Sequence, residues 1–171
     1  AIDVNELGGG PVAQRNGDHP FGIALTDDRY RLAWEYADER ELLVLTHTWG
    51  GSEYDGPDVV RQVAARYPRV KLLLGHSCHG EWDAAVDLAR DFPNLYLELT
   101  ALFDDRGVLE KFVREAGSDR MLFGTDLPWF DPHQAVGALL SRLPAPSVAL
   151  WSESAPSWSA DRPCCRLPRS R

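Results

Sequence analysis

The sequence predicts an α/β fold with a parallel sheet, and three observations carry that expectation. Apolar runs too short for helices alternate with segments of helical period. Most of the runs are continuously apolar, as a sheet covered on both faces requires. The cycle also repeats evenly: His47, His76, Glu98 and Asp126 stand about 22 to 29 positions apart, roughly the length of a strand, a helix and two loops.

The strand candidates are 1–6 (AIDVNE), 42–47 (LLVLTH), 70–76 (VKLLLGH), 95–100 (LYLELT) and 121–126 (MLFGTD). The first and fourth are less uniformly apolar. Between them lie five helix candidates. Asp28 to Arg40 carries Leu32, Ala33, Tyr36 and Ala37 at helical spacing, and Pro57 to Tyr67 opens with a proline where its missing N–H does no harm. Glu81 to Phe92, Arg106 to Ala116 and Pro132 to Leu143 follow, and Pro68, Pro93 and Gly117 are stop signals. Residues 1–143 therefore read as one βα domain. Residues 144–171 change character: Ser, Pro and Arg dominate, no period persists, and a poorly ordered tail is expected.

Composition narrows the functional classes. With 171 residues, 44% of them hydrophobic, the chain is long enough to bury a core. A formal charge of −8 argues against nucleic acid or an anionic membrane as partner, since both select clustered Lys and Arg. No run approaches the ~20 apolar residues of a membrane span. The opening residues lack the basic start and apolar core of a signal peptide. Three cysteines, two of them adjacent (Cys164 and Cys165), are poor material for a disulfide framework and point to a reducing, cytoplasmic location. Met121 is the only methionine, which fits a processed start or a chain that begins within a longer protein.

The chemistry gathers at strand ends. Three runs each finish on a metal-capable side chain: His47, His76 and Asp126. Right-handed crossovers bring the C-terminal ends of parallel strands to one face, where ligands bind in such folds. Two histidines and an aspartate are suitable zinc ligands, and a catalytic zinc uses three protein ligands with one position open. Trp49 and Trp129 follow the site residues closely and are candidates for the pocket mouth, with the barrel rim as their plainer role. Asn5 and Glu6, near the end of the first strand candidate, are substrate-contact candidates by position alone.

Several motifs compete. Gly75-His76-Ser77-Cys78-His79 sits between a strand and a helix, where a G-x-S-x-G nucleophile elbow would stand, and Ser77, Asp126 and His133 occur in hydrolase order. Against this, His79 occupies the place of the elbow's last glycine. Cys78 reads as packing and His79 as a solvated loop residue. Glu98 either points inward or caps the neighbourhood of Thr100. Gly8-Gly9-Gly10 lacks the spacing and the Lys-Ser/Thr of a phosphate loop and reads as a flexible connection.

Taken together, the strand ending in His47, RYPRVKLLLGHS with His76, DFPNLYLEL, and DRMLFGTDLPW with Asp126 resemble the C-terminal part of amidohydrolase-related proteins, in the branch typified by aminocarboxymuconate-semialdehyde decarboxylase. The resemblance covers roughly residues 1–143. It implies a partial (β/α)8 TIM barrel of the metallo-dependent hydrolase type, about strands 4 to 8 with their helices. It further implies His47 as the metal-binding histidine of the fifth barrel strand and His76 as the sixth-strand histidine that polarises substrate or water. Asp126 is then the eighth-strand aspartate, both metal ligand and proton acceptor. The implied cofactor is a divalent metal, Zn2+ first, and the implied activity is hydrolysis or decarboxylation of a small carboxylated or cyclic substrate. Two departures stand out. No His-x-His pair occurs, and a whole barrel takes about 250 residues. Self-association, or dependence on a missing N-terminal half-barrel, is therefore expected. The alternatives are a metal-independent hydrolase (lactonase-like, or using Ser77) and a non-catalytic scaffold fragment.

Overall fold

The computed structural model describes residues 2–3, 23–102 and 105–142. Five parallel strands form one sheet: β1 (Ile2–Asp3), β2 (Leu43–Trp49), β3 (Lys71–His79), β4 (Leu95–Glu98) and β5 (Met121–Leu122). Each strand pairs with the next in the sequence, in the order β1-β2-β3-β4-β5. A doubly wound sheet reverses its strand order at a switch point, whereas sequential order without reversal is an arc of a barrel. The expected partial (β/α)8 architecture is the one observed.

The helices are α1 (Arg31–Glu39), α2 (Pro57–Arg66), α3 (Trp82–Asp91), α4 (Val108–Glu115) and α5 (Pro132–Arg142). Each of the first four buries an apolar stripe. Trp34 and Ala37 do so on α1, Val59, Val60, Val63 and Ala64 on α2, Ala85, Val86, Leu88 and Ala89 on α3, and Val108, Leu109 and Phe112 on α4. The stops act as read. Tyr67 and Phe92 leave helical geometry just before Pro68 and Pro93, and Gly117 follows α4 at φ +91°, a conformation that favours glycine.

Under the helices lies one continuous core, with Leu72, Leu74, Leu95, Leu97, Leu99, Leu109 and Phe112 almost wholly buried. The strands differ from one another. Seven consecutive residues of β3, Leu72 to Cys78, are buried, as a central parallel strand should be. β2 alternates instead: Val44, Thr46 and Thr48 are buried, while Leu43, Leu45, His47 and Trp49 are half-buried. Its continuous apolar run therefore does not translate into burial on both faces among the described residues, because the helices cover only one.

Boundaries moved where the backbone turns. β5 ends at Leu122 rather than 126, and β4 at Glu98 rather than Thr100, although Leu99 N–H still donates to Leu122 O at 3.0 Å. β3 runs three residues past the expected 76 and carries left-handed residues within it. The four helix boundaries that can be checked at both ends lie within two or three residues of expectation, and α5 begins at Pro132 as read. Asn5, Glu6, the Gly8-Gly9-Gly10 loop, Cys164, Cys165 and the 144–171 tail lie outside the described residues. No described helix is long and apolar enough to cross a membrane.

Candidate active site

His47 is held from below. Its Nδ1 lies 2.5 Å from Oδ2 of Asp55, eight residues on, in the loop leading to α2. The Asp55 side chain is only 4% exposed, so this carboxylate has left water for the pairing. A carboxylate so close accepts a hydrogen bond from Nδ1–H, which turns Nε2 to the side away from Asp55. Carboxylate-oriented histidines of this kind are the usual arrangement at metal sites.

Next to it stands His76, with ring centroids 4.9 Å apart in an edge-on arrangement. Its Nε2 is 3.9 Å from Oδ2 of Asp126. Its Nδ1 is buried without a full hydrogen bond. Burial, followed by the nearby His47 and His79, pushes the His76 imidazole down to about 4, against smaller upward pulls from Asp55 and the Thr100 backbone. His76 is therefore neutral at ordinary pH. Asp126 moves the other way: desolvation raises its carboxyl, with His47 partly opposing. Side-chain exposure of 37% for Asp126 against 11% for His76 makes it the open side of the site.

The backbone beneath His76 is unusual. His76, Ser77 and Cys78 are consecutive non-glycine residues at φ +63°, +50° and +54°. Each such residue costs about 1–3 kcal/mol and persists only where its surroundings enforce it. Here they do. His76 N–H donates to Glu98 Oε2 at 3.1 Å, Ser77 Oγ to the Glu98 carbonyl at 2.6 Å, and Cys78 N–H to Thr48 Oγ1 at 2.8 Å. Thr48 Oγ1 in turn donates to Gly75 O at 2.7 Å. Glu98 also accepts from Thr100 N–H at 2.9 Å and, through a very short contact, from Thr100 Oγ1. Burial raises the Glu98 carboxyl, with Thr100 and His76 opposing. A Cβ on Gly124 would collide with this carboxylate, which is why the GTD segment needs glycine at its first position.

Aromatic rings form the wall. Trp49 stacks on His79 at 4.3 Å and meets His76 edge-on at 5.7 Å, while His79 continues to Trp82 at 5.0 Å. From the other side Phe130 approaches His76 at 6.5 Å. Trp129, a candidate for the mouth, is 68% exposed, and it is its neighbour Phe130 that packs toward His76. The turn explains this: Trp129 N–H and Phe130 N–H both reach back to Asp126 O, so consecutive side chains leave it in different directions.

The fold thus brings together His47, His76, Asp126 and Trp49. It does not support Ser77 as a nucleophile, because Ser77 is fully buried with its hydroxyl spent on the Glu98 carbonyl. His133, the third member of that arrangement, is 95% exposed and paired with Asp131. Cys78 is packing, as read: wholly buried, its thiol pushed up to about 12 by desolvation. His79 is not a solvated loop residue but a half-buried ring between two tryptophans. Sequence reasoning missed Asp55 entirely and undervalued Glu98. Nothing in GGSEYDGP separates Asp55 from a helix-capping aspartate, whereas a lone glutamate inside LYLELT was a usable signal.

A family model described as amidohydrolase matches residues 8–148, most of the chain. The chain belongs to the amidohydrolase family. No curated protein matches it. Among solved structures it resembles an uncharacterised TIM-barrel protein of Bordetella bronchiseptica (TM-score 0.65, 20% identity), over 74% of this chain and 48% of that one. A second is a dihydroxybenzoic acid decarboxylase of Polaromonas sp. JS666, solved with manganese and the inhibitor 2-nitroresorcinol. There the TM-score is 0.55 and the identity 17%, over 72% of this chain and 51% of that one. A third is an amidohydrolase of Burkholderia multivorans with bound zinc (0.56, 18%), over 77% and 57%. This amidohydrolase chain spans about half the length of the structures it matches. Among its described residues no three His, Cys, Asp or Glu side chains converge closely enough to hold an ion by themselves.

Proposed function

We propose that this chain supplies the His47–His76–Asp126 side of a metal-dependent amidohydrolase site, acting by hydrolysis or decarboxylation on a small carboxylated or cyclic substrate. The observation that carries this reading is the buried Asp55–His47 pair, which orients a histidine ring beside a second, neutral one at the C-terminal ends of parallel strands. Manganese and zinc in two of the structures it resembles support the choice of a divalent ion. His47, Asp126 and His76 are the donors that this chain would contribute to a ligand shell the described residues do not complete by themselves, and their two-histidine, one-carboxylate chemistry suits zinc. Such an ion supplies positive charge that polarises a carbonyl or carboxylate and acidifies water to a pKa near about 7.

The remaining work belongs to side chains of this protein. Asp126, its carboxyl raised and partly open to solvent, accepts the proton of the attacking group or delivers one to the product carbon. His76, neutral and buried, presents Nε2 on the same side, where it either completes the ion's ligands or, in their place, polarises the substrate without bringing a second positive charge. Trp49 and Phe130 give a planar substrate apolar surface and exclude water. The test is metal content per chain by elemental analysis, beside His47→Ala and Asp126→Ala. Near-stoichiometric zinc or manganese, lost in both variants, upholds the reading; background metal in all three proteins sinks it.

The absence of a ready three-donor cluster among the described residues favours a second reading, a scaffold that keeps the fold without the chemistry. Sheet edges β1 and β5, unpaired on their outer sides among the described residues, and exposed Leu127, Trp129 and Leu140 favour self-association or a complementing half-barrel in either case. Sedimentation should show concentration-dependent assembly, and a monodisperse monomer over a wide concentration range would argue against it.

A further inference from the structure

We infer that Glu98 is a positioning residue for the active site: it latches the left-handed turn at His76–Cys78 and so fixes where the His76 ring stands relative to Asp126. The inference rests on the reading of His76 as a site residue and adds a function for a carboxylate that the proposed chemistry does not use.

Glu98 ends a strand of the core and is 8% exposed, an environment that ordinarily excludes a carboxylate. Four contacts converge on this one residue. Its Oε2 receives His76 N–H, its Oε1 receives Thr100 N–H and the Thr100 hydroxyl, and its own carbonyl receives the Ser77 hydroxyl. Two of the three left-handed residues are therefore tied to Glu98 directly. The third, Cys78, is tied from the opposite strand by Thr48. Gly124 leaves the space the carboxylate fills, two residues before Asp126. The same carboxylate thus touches the backbone that carries His76 and the backbone that carries Asp126. A helical or extended path at 76–78 would need no such anchor. Three consecutive residues in the left-handed region persist because the anchor is there.

Geometry also says which substitutions are informative. Both Glu98 oxygens face backbone N–H groups, so the amide nitrogen of Glu98→Gln must oppose one of them whichever way it is turned. Volume and packing stay the same while one contact is lost. Gly124→Ala attacks the latch from the other side by pushing the carboxylate off its position.

The experiment reads the metal-free protein first and zinc second. In wild type, the His76 and Thr100 amides should be among the slowest to exchange with deuterium. Fast exchange of the His76 amide under native conditions overturns the inference without any variant. In Glu98→Gln, the His76 amide and ring resonances should move while those of His133 stay in place. Gly124→Ala should move the same signals. Zinc affinity by titration should then fall about 10- to 100-fold in Glu98→Gln, the usual effect of removing a group that orients a ligand. A variant that melts earlier but keeps the wild-type His76 resonances and zinc affinity shows a structural role only, and overturns the inference. If wild type binds no zinc, the metal reading fails, while the exchange and resonance data still decide the latch.

Discussion

The two sides of the candidate active site are built differently. On the β2–β3 side, His47 and His76 are backed by buried partners: Asp55 from the following loop on one ring, and Glu98 and Thr48 from the neighbouring strands on the turn beneath the other. On the β5 side, Asp126 follows a two-residue strand at φ +51°, is over a third exposed, and is flanked by Leu127 and Trp129, each more than two-thirds exposed. The first side is organised by this chain's own contacts. The second presents a carboxylate and apolar surface that the described residues cover only in part. Pre-organisation therefore belongs to the histidines, and the aspartate is the less constrained member of the three.

The largest test of this contrast is packing. Leu74 lies wholly buried in the middle of β3, so Leu74→Ala should destabilise by about 2–5 kcal/mol in denaturant unfolding. Leu127→Ala, at 69% exposure, should stay within about 0.5 kcal/mol. Equal losses at the two positions would mean that the β5 side is covered after all.

Acid comes next. The folded protein holds the His76 pKa near about 4, whereas an unfolded chain takes its proton at about 6.5. Stability of the metal-free protein should be level above pH 6.5 and fall between 6.5 and 4, by up to about 3 kcal/mol from this residue. The raised pKa of Glu98 works in the opposite direction, so the informative quantity is the difference between wild type and His76→Gln across that window. A difference that does not change with pH would show that His76 is not held neutral.

A smaller effect is expected at Asp55. Asp55→Asn keeps the size of the side chain and removes its charge, and zinc affinity should drop about 10- to 100-fold. Trp129→Ala, on the exposed side, should leave zinc affinity unchanged. If Asp55→Asn binds zinc as well as wild type does, the carboxylate does not orient His47 for a metal.

Smallest in energy is the thiol. Cys78, with its pKa near about 12 and no exposed surface, should resist alkylation in native Cys164→Ser/Cys165→Ser protein at pH 8, and react only on unfolding. Rapid native labelling would show that the β3 side opens.

Much of this could be read from the chain alone, for reasons tied to particular residues. Leu42–Leu45, Val70–Leu74 and Met121–Phe123 are local apolar runs, and Pro57, Pro68, Pro93 and Gly117 mark helix ends through their own backbone chemistry. Placing His47, His76 and Asp126 at strand ends follows from those runs. It needs no knowledge of what each side chain touches. What the sequence left open was orientation within a turn. Trp129 and Phe130 are adjacent aromatics, and only the hydrogen bonds back to Asp126 decide which of them meets His76. Ser77 had the order of a nucleophile, but the left-handed turn buries its hydroxyl against Glu98.

Sequence by itself determined the alternation of strands and helices, the stops between them, and which residues end the strands, because each of these is set within a few neighbouring positions. Tertiary structure alone decided that Asp55 pairs with His47, that Glu98 and Thr48 hold the His76 turn, and that Gly124 leaves room for a carboxylate. These contacts join loops and strands as much as 30 residues apart. They depend on backbone conformations with no period to betray them, and they exist only once the strands lie side by side.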